Sequence, residues 1–215
     1  MRILEFLSEL IFPKQCLVCG KIGNYICEKC ENNIKKYEIN LQKEEKFFVY
    51  KYEGDLRKLI IDYKFNEKSY LYKLFSEELL NNKKLCKFLN NYDIIIPVPV
   101  HRKRKNERGY NQTELVARKI AKNTNLSILK NVLIKEKNIK PLSSMNAKER
   151  KQNIKGTFKV IENSNIKNKK VLIFDDIYTT GSTTKEATRV LREAGVSKVG
   201  ILTIARDTYT KERNK

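Results

Sequence analysis

Lys170-Val-Leu-Ile-Phe-Asp175-Asp176-Ile-Tyr-Thr179-Thr180-Gly181-Ser182-Thr183-Thr184 is the stretch on which the fold turns. Val171 to Phe174 are continuously apolar, the pattern of a strand buried on both faces of a sheet. A polar turn follows, then apolar residues at helical spacing from Thr183 to Glu193, with Gly195 placed to end the helix. Val196 to Ala205 is a second apolar strand. Strand, loop, helix and strand make a βαβ unit, so the fold class is α/β with a mostly parallel sheet. Upstream, Asp93 to Val100 is another short apolar run, stopped by Pro97 and Pro99. A helix is predicted after it, with Asn111 as N-cap, Glu114 three residues on, and Leu115, Val116 and Ile120 as its apolar stripe. Phe47 to Tyr52 has strand propensity, Asp55 to Lys64 and Tyr70 to Leu89 read as helices, and Thr157 to Ile161 reads as an edge strand.

The turn after Phe174 carries chemistry. It leaves the carboxyl end of a core strand, where open α/β sheets bind ligands. Gly181 lets the backbone approach an anion. The hydroxyls and amides of Thr179, Thr180, Ser182 and Thr183 can cradle a phosphate, and the helix that begins there adds its positive end. Two adjacent carboxylates, Asp175 and Asp176, are costly at a strand end without partners, and the hydroxyls of a diol are suitable ones. A diol acceptor beside a phosphate cradle describes a ribose 5-phosphate site. A plain turn with a capping aspartate would account for Asp175-Asp176 alone, but not for the strand, the Thr-Gly-Ser loop and the helix together.

Two further segments stand out. His101-Arg102-Lys-Arg104-Lys-Asn-Glu-Arg108-Gly109 leaves the carboxyl end of the first apolar strand, as a basic loop on the same rim. Its arginines, Arg102 and Arg108 among them, could neutralise a diphosphate. His101, the single histidine, reads as structural. At the other end, Cys16-x-x-Cys19 and Cys27-x-x-Cys30 are two pairs able to converge on one tetrahedral ion. Four thiolates point to a structural Zn²⁺ with no open coordination position. A disulfide pair would need an oxidising compartment, and redox chemistry usually takes a single such pair near a βαβ unit. Cys86 reads as an ordinary buried thiol. This organisation predicts a cysteine module with its connector over 1–46 and the α/β domain over 47–215.

Length and composition limit the rest. The 215 residues can bury a core, and no apolar run approaches the ~18 residues that cross a bilayer. The opening MRILEFLSELIF carries Glu5 and Glu9, too short and acidic for a signal peptide. It fits an amphipathic helix packed on the protein, with membrane contact at most peripheral. The formal net charge of +20 suits polyanionic partners such as nucleic acid, phosphorylated ligands or anionic lipid. It equally suits a solvated lysine surface, because Lys, Asn and Ile are abundant together, as A/T-rich codon usage produces.

The stretch from Val171 to Thr184 resembles the phosphoribosyl-diphosphate (PRPP) signature of type I phosphoribosyltransferases. The ordered set is more specific. Pro97-Val-Pro99-x-His101, then Arg108-Gly-Tyr-Asn-Gln112, then Arg150-x-x-Asn153-x-x-Gly156-x-Phe158, then the loop, with the cysteine module in front, resembles the ComF family of competence proteins over nearly the whole chain. The sequence departs from that pattern at Lys140-Pro141, where a Gln-containing approach to Arg150 is expected. The resemblance implies a type I phosphoribosyltransferase-like fold. Asp175 and Asp176 would hold the ribose hydroxyls and be the candidate catalytic residues. Thr179, Thr180, Gly181, Ser182 and Thr183 would hold the 5-phosphate, and Mg²⁺ would enter with the diphosphate. It further implies a cytoplasmic protein that acts on incoming single-stranded DNA with competence-machinery partners. Two other functions fit the residues. One is a nucleobase salvage phosphoribosyltransferase, in which Asn138 to Gly156, with Lys148, Arg150 and Lys151, would close over the site. The other is a PRPP-responsive regulator that binds nucleic acid.

Overall fold

The computed structural model describes residues 13–37, 45–136, 154–162 and 164–207. The run from Val171 to Phe174 forms the middle of a five-stranded sheet. Its strand, β6 (Lys170–Tyr178), lies between β2 (Ile94–Pro97) and β7 (Lys198–Arg206). Beyond β7 is β1 (Lys46–Lys51), and beyond β2 is β3 (Ser127–Ile128). Every pairing in this sheet is parallel, with Ile95 beside Leu172 and Ile173 beside Ile201. The expectation of a mostly parallel α/β sheet therefore holds.

Val171, Leu172, Ile173 and Phe174 are all fully buried because the two faces of the sheet are covered by different elements. Leu172 and Phe174 pack with α2 (Gly54–Phe65), α3 (Leu71–Leu80), α4 (Lys83–Leu89) and α6 (Gln112–Lys122). Val171 and Ile173 pack with α7 (Ser182–Glu193) and with a separate antiparallel ribbon of β4 (Leu133–Lys135) and β5 (Phe158–Val160). The strand expected at Thr157 to Ile161 thus exists, but it belongs to this ribbon and not to an edge of the main sheet.

Two local expectations change. Tyr70 to Leu89 is two helices, because the Asn82 side chain accepts from the backbone N–H groups of Lys84 and Leu85 and starts α4 afresh. The basic loop is largely a helix, α5 (Arg102–Arg108). His101 caps it, its Nδ1 accepting from the Lys103 N–H at 3.3 Å, and Gly109 ends it at φ +79°. The Asn111 cap is present: its Oδ1 accepts from the Thr113 N–H at 3.2 Å.

The cysteine segment, which includes α1 (Glu28–Asn32), is bonded to the sheet. Tyr37 N–H donates to Val49 O, Lys51 N–H donates to Lys35 O, and Tyr25 stacks on Tyr70 with ring centroids 4.5 Å apart. Cys16, Ile26 and Cys30 share one buried cluster with Phe47, Tyr50 and Leu79. The MRILEFLSELIF stretch, Arg150 and Asn153, and nearly all of Asn138 to Gly156 lie outside the described residues.

Candidate functional site

Asp175 and Asp176 end the continuously buried run of β6 that begins at Val171, and strand alternation sends them to opposite faces of the sheet. Asp176, 4% exposed, follows Leu172 and Phe174 towards the α2 and α6 side. There Lys64 Nζ lies 2.8 Å from its Oδ1, and Gln112 Nε2 donates to its Oδ2 at 2.8 Å. Arg108 Nη1 donates in turn to Gln112 Oε1. The two helices that supply these groups are tied together: Tyr63 hydroxyl donates to Gln112 O at 2.7 Å, and Tyr110 hydroxyl donates to Tyr63 O.

Asp175, 9% exposed, takes the other face, and one of its oxygens accepts from the Asp176 N–H at 2.9 Å. Burial, and then the neighbouring Asp176 charge, push its carboxyl up to about 7. Lys135 of β4 shares the cleft; burial and the nearby Arg104 hold its ammonium down to about 8, with Asp175 pulling the other way. A cleft opens over these groups. Its walls include Arg104, Arg108, Gln112, Thr179 and Thr183, and Val98 to His101 form one rim. Carboxylates, cations and hydroxyls therefore meet at the carboxyl ends of parallel strands, as an α/β ligand site requires.

The loop beyond the aspartates is held by its own hydroxyls. Thr180 Oγ1 and Ser182 Oγ are 2.8 Å apart, and Thr184 hydroxyl donates to Gly181 O at 3.1 Å. Gly181 sits at φ +74°, and a Cβ built there would lie 2.2 Å from the Tyr178 hydroxyl oxygen. The glycine is thus required by the turn and by Tyr178 packing beneath it, where the sequence suggested anion approach alone.

The four predicted thiols come together. The Sγ atoms of Cys16, Cys19, Cys27 and Cys30 all lie within 4.8 Å of one another, and Cys19 and Cys27 are 3.7 Å apart. Tetrahedral zinc with bonds of ~2.3 Å holds its sulfurs ~3.8 Å apart, so this donor set can hold a metal ion and is consistent with zinc. Tight backbone turns prepare it: Cys16 N–H donates to Lys21 O and Gly20 N–H to Cys16 O, both at 2.8 Å. Cys86 lies apart from the cluster, its thiol donating to Leu80 O.

Comparison with known proteins agrees with this layout. Residues 126–215 match the phosphoribosyl transferase domain family. Competence protein F of Haemophilus influenzae is 29% identical over 199 residues, spanning 91% of this chain and 85% of that protein. Competence protein ComFC of Bacillus subtilis is 23% identical over 182 residues, 84% of this chain and 72% of its own length. This chain is a homologue of the ComF competence proteins. The DNA utilization protein YhgH of Shigella flexneri matches a shorter part, at 26% identity over 53% of this chain and 49% of that relative.

Within this ComF homologue the structure sorts the predicted residues. Asp175, Asp176, Thr179, Thr183 and Arg108 line the cleft, and Thr180, Gly181 and Ser182 form the turn beside it. Arg102 does not line the cleft. On the helix α5, His101, Arg104 and Arg108 share the half-buried face over the cleft, at the three- and four-residue spacing of one helix side, while Arg102 is exposed. Reading that stretch as a loop hides this phase, which puts Arg104 rather than Arg102 on the cleft wall. Lys64, Gln112 and Lys135 were not predicted as site residues. Gln112 stood in the quoted motif, but Lys64 and Lys135 reach the aspartates only through tertiary packing.

Proposed function

We propose that this ComF homologue binds PRPP with Mg²⁺ in the cleft over Asp175 and Asp176 and acts on incoming single-stranded DNA in the cytoplasm during competence, together with other competence proteins. One observation carries the reading. The two carboxylates, Thr179 and Thr183 at the two ends of the turn, and the cations Arg104, Arg108 and Lys135 all line one cleft, which is the donor and acceptor set of a ribose bearing a phosphate and a diphosphate. Asp175 and Asp176 would take the ribose hydroxyls, the turn the 5-phosphate, and the arginines with Mg²⁺ the diphosphate. The net charge of +20 and the names of the relatives support a nucleic-acid role. Among the described residues no helix is long and apolar enough to cross a membrane. Residues 1–46 would form a zinc-stapled unit docked on the PRPP-binding unit at 47–215, with Cys16, Cys19, Cys27 and Cys30 as zinc ligands.

The test is calorimetric titration of the full chain with Mg²⁺-PRPP and with single-stranded DNA, separately and then together. Binding of both is the expected result, and failure to bind PRPP would sink the cleft assignment. Release of diphosphate from PRPP on adding a nucleobase would move the protein to the salvage-enzyme reading instead.

A further inference from the structure

Phe65 closes α2 directly after Lys64, the partner of Asp176, and is 57% exposed. The Arg108 guanidinium lies 5.3 Å from its ring centroid. The turn that presents the ring is firmly built: Asp62 accepts from the Asn66 amide at 2.6 Å and from Lys68 Nζ at 2.8 Å. Glu67 holds φ at +55°, a backbone state that few non-glycine residues adopt. Lys64, Phe65, Glu67, Arg104, Glu107 and Arg108 line a hollow here, and four of them (Lys64, Phe65, Arg104 and Arg108) also line the aspartate cleft. The hollow and the cleft therefore share a wall.

The composition of the hollow selects its ligand. A bare phosphate has no use for an exposed ring. A lipid surface needs a broader apolar area, and an apolar peptide would strand the charges. A nucleotide of a DNA strand matches every part: the flat face of its base stacks on an aromatic ring, the edge N–H groups of the base (N3–H in thymine) can donate to Glu67 and Glu107, and its phosphate meets Arg104 and Lys64. A paired base offers no face to stack on, so the strand must be single. We propose that Phe65, backed by Arg108, is the stacking platform for an unpaired base of single-stranded DNA at the mouth of the ribosyl-phosphate cleft. This rests on the reading that the protein handles single strands, and gives that reading a location. Arg108 joins the two parts, because it lies against the Phe65 ring and also donates to Gln112, the amide that holds Asp176.

The chain contains no tryptophan, so Phe65→Trp places a single indole on the platform. Affinity for a labelled oligothymidylate is measured by fluorescence anisotropy for the wild type, Phe65→Trp and Phe65→Ala over a range of salt. Indole emission of Phe65→Trp is followed as the unlabelled strand is added, and thermal melts confirm that each variant folds. Phe65→Ala should bind about tenfold more weakly, with an unchanged salt slope because no phosphate contact is lost. Phe65→Trp should bind at least as well as the wild type, and its emission should be quenched at saturation. Unchanged affinity in Phe65→Ala, or indole emission that stays constant while the strand saturates, overturns the platform and leaves the DNA reading standing. A wild type that does not bind the strand overturns both.

Discussion

Replacing Asp175 with asparagine should make the protein more stable at alkaline pH and weaken the proposed binding of PRPP. In the fold the carboxyl is raised from 3.8 to about 7, first by burial and then by the charge of Asp176. A group raised in the native state binds more protons folded than unfolded between about pH 4 and pH 7. Its contribution to stability is complete below pH 4 and is lost as the pH rises through 7. At 1.36 kcal/mol for each tenfold change in acidity, a rise from 3.8 to about 7 puts the cost of the ionised side chain at no more than about 4 kcal/mol above pH 7. Asparagine keeps the size and never ionises. The difference between variant and wild type should therefore be near zero at about pH 4 and reach its full value by about pH 8, a gain of roughly 10 °C in melting temperature for a chain of this size. Urea unfolding at both ends of that range, beside calorimetric titration of Mg²⁺-PRPP, measures both effects. A variant no more stable than the wild type at pH 8, or a gain of equal size at pH 4, would refute the account of a carboxylate buried at the expense of stability for the sake of a ligand.

Lys64→Met leaves the buried Asp176 without its ion-pair partner and should cost about 2–3 kcal/mol in urea unfolding; adding Asp176→Asn should recover most of it, as a double-mutant cycle would record. Gly181→Ala puts a side chain at φ +74° against the Tyr178 hydroxyl, so a loss of about 2 kcal/mol or more is expected by the same assay. Metal analysis should find one zinc ion per chain, absent in Cys27→Ser. Chelation should lower the melting temperature of the whole protein, because Cys16 and Cys30 lie in the main buried cluster.

What could be read from the sequence followed the range of each signal. The β6 run, the Asn111 cap and the four cysteines are local patterns, and each forms where its pattern stands. The errors came where a short side chain or a rotation about a helix decided the outcome. Asn82 divides one expected helix, and the phase of α5 puts Arg104 rather than Arg102 on the cleft wall. Gln112 stands in a motif that the sequence displays, but the ion-pair partner of Asp176 does not. Lys64 precedes Asp176 by more than a hundred residues and reaches it only because α2 packs on the face of the sheet that carries Leu172 and Phe174.

Adjacency in sequence also concealed a division of labour. In the linear chain Asp175-Asp176 reads as one acidic pair awaiting one ligand. On a strand, neighbours point apart, so each carboxylate answers to a different half of the molecule. Asp176 is held by α2 and α6, through Lys64 and Gln112. Asp175 belongs to the side of the β4–β5 ribbon, whose Lys135 shares its part of the cleft. One carboxylate is already ion-paired; the other stays close to its protonation point near neutral pH. A ribose diol laid across the strand end would thus meet two unlike acceptors. The hydroxyl on the Asp175 side favours the ionised carboxylate, so binding there releases a proton below about pH 7, and affinity for PRPP should rise with pH across that point. The same residue that limits stability as the pH rises then makes ligand binding strongest where the unliganded fold is least comfortable, and binding in turn stabilises that fold.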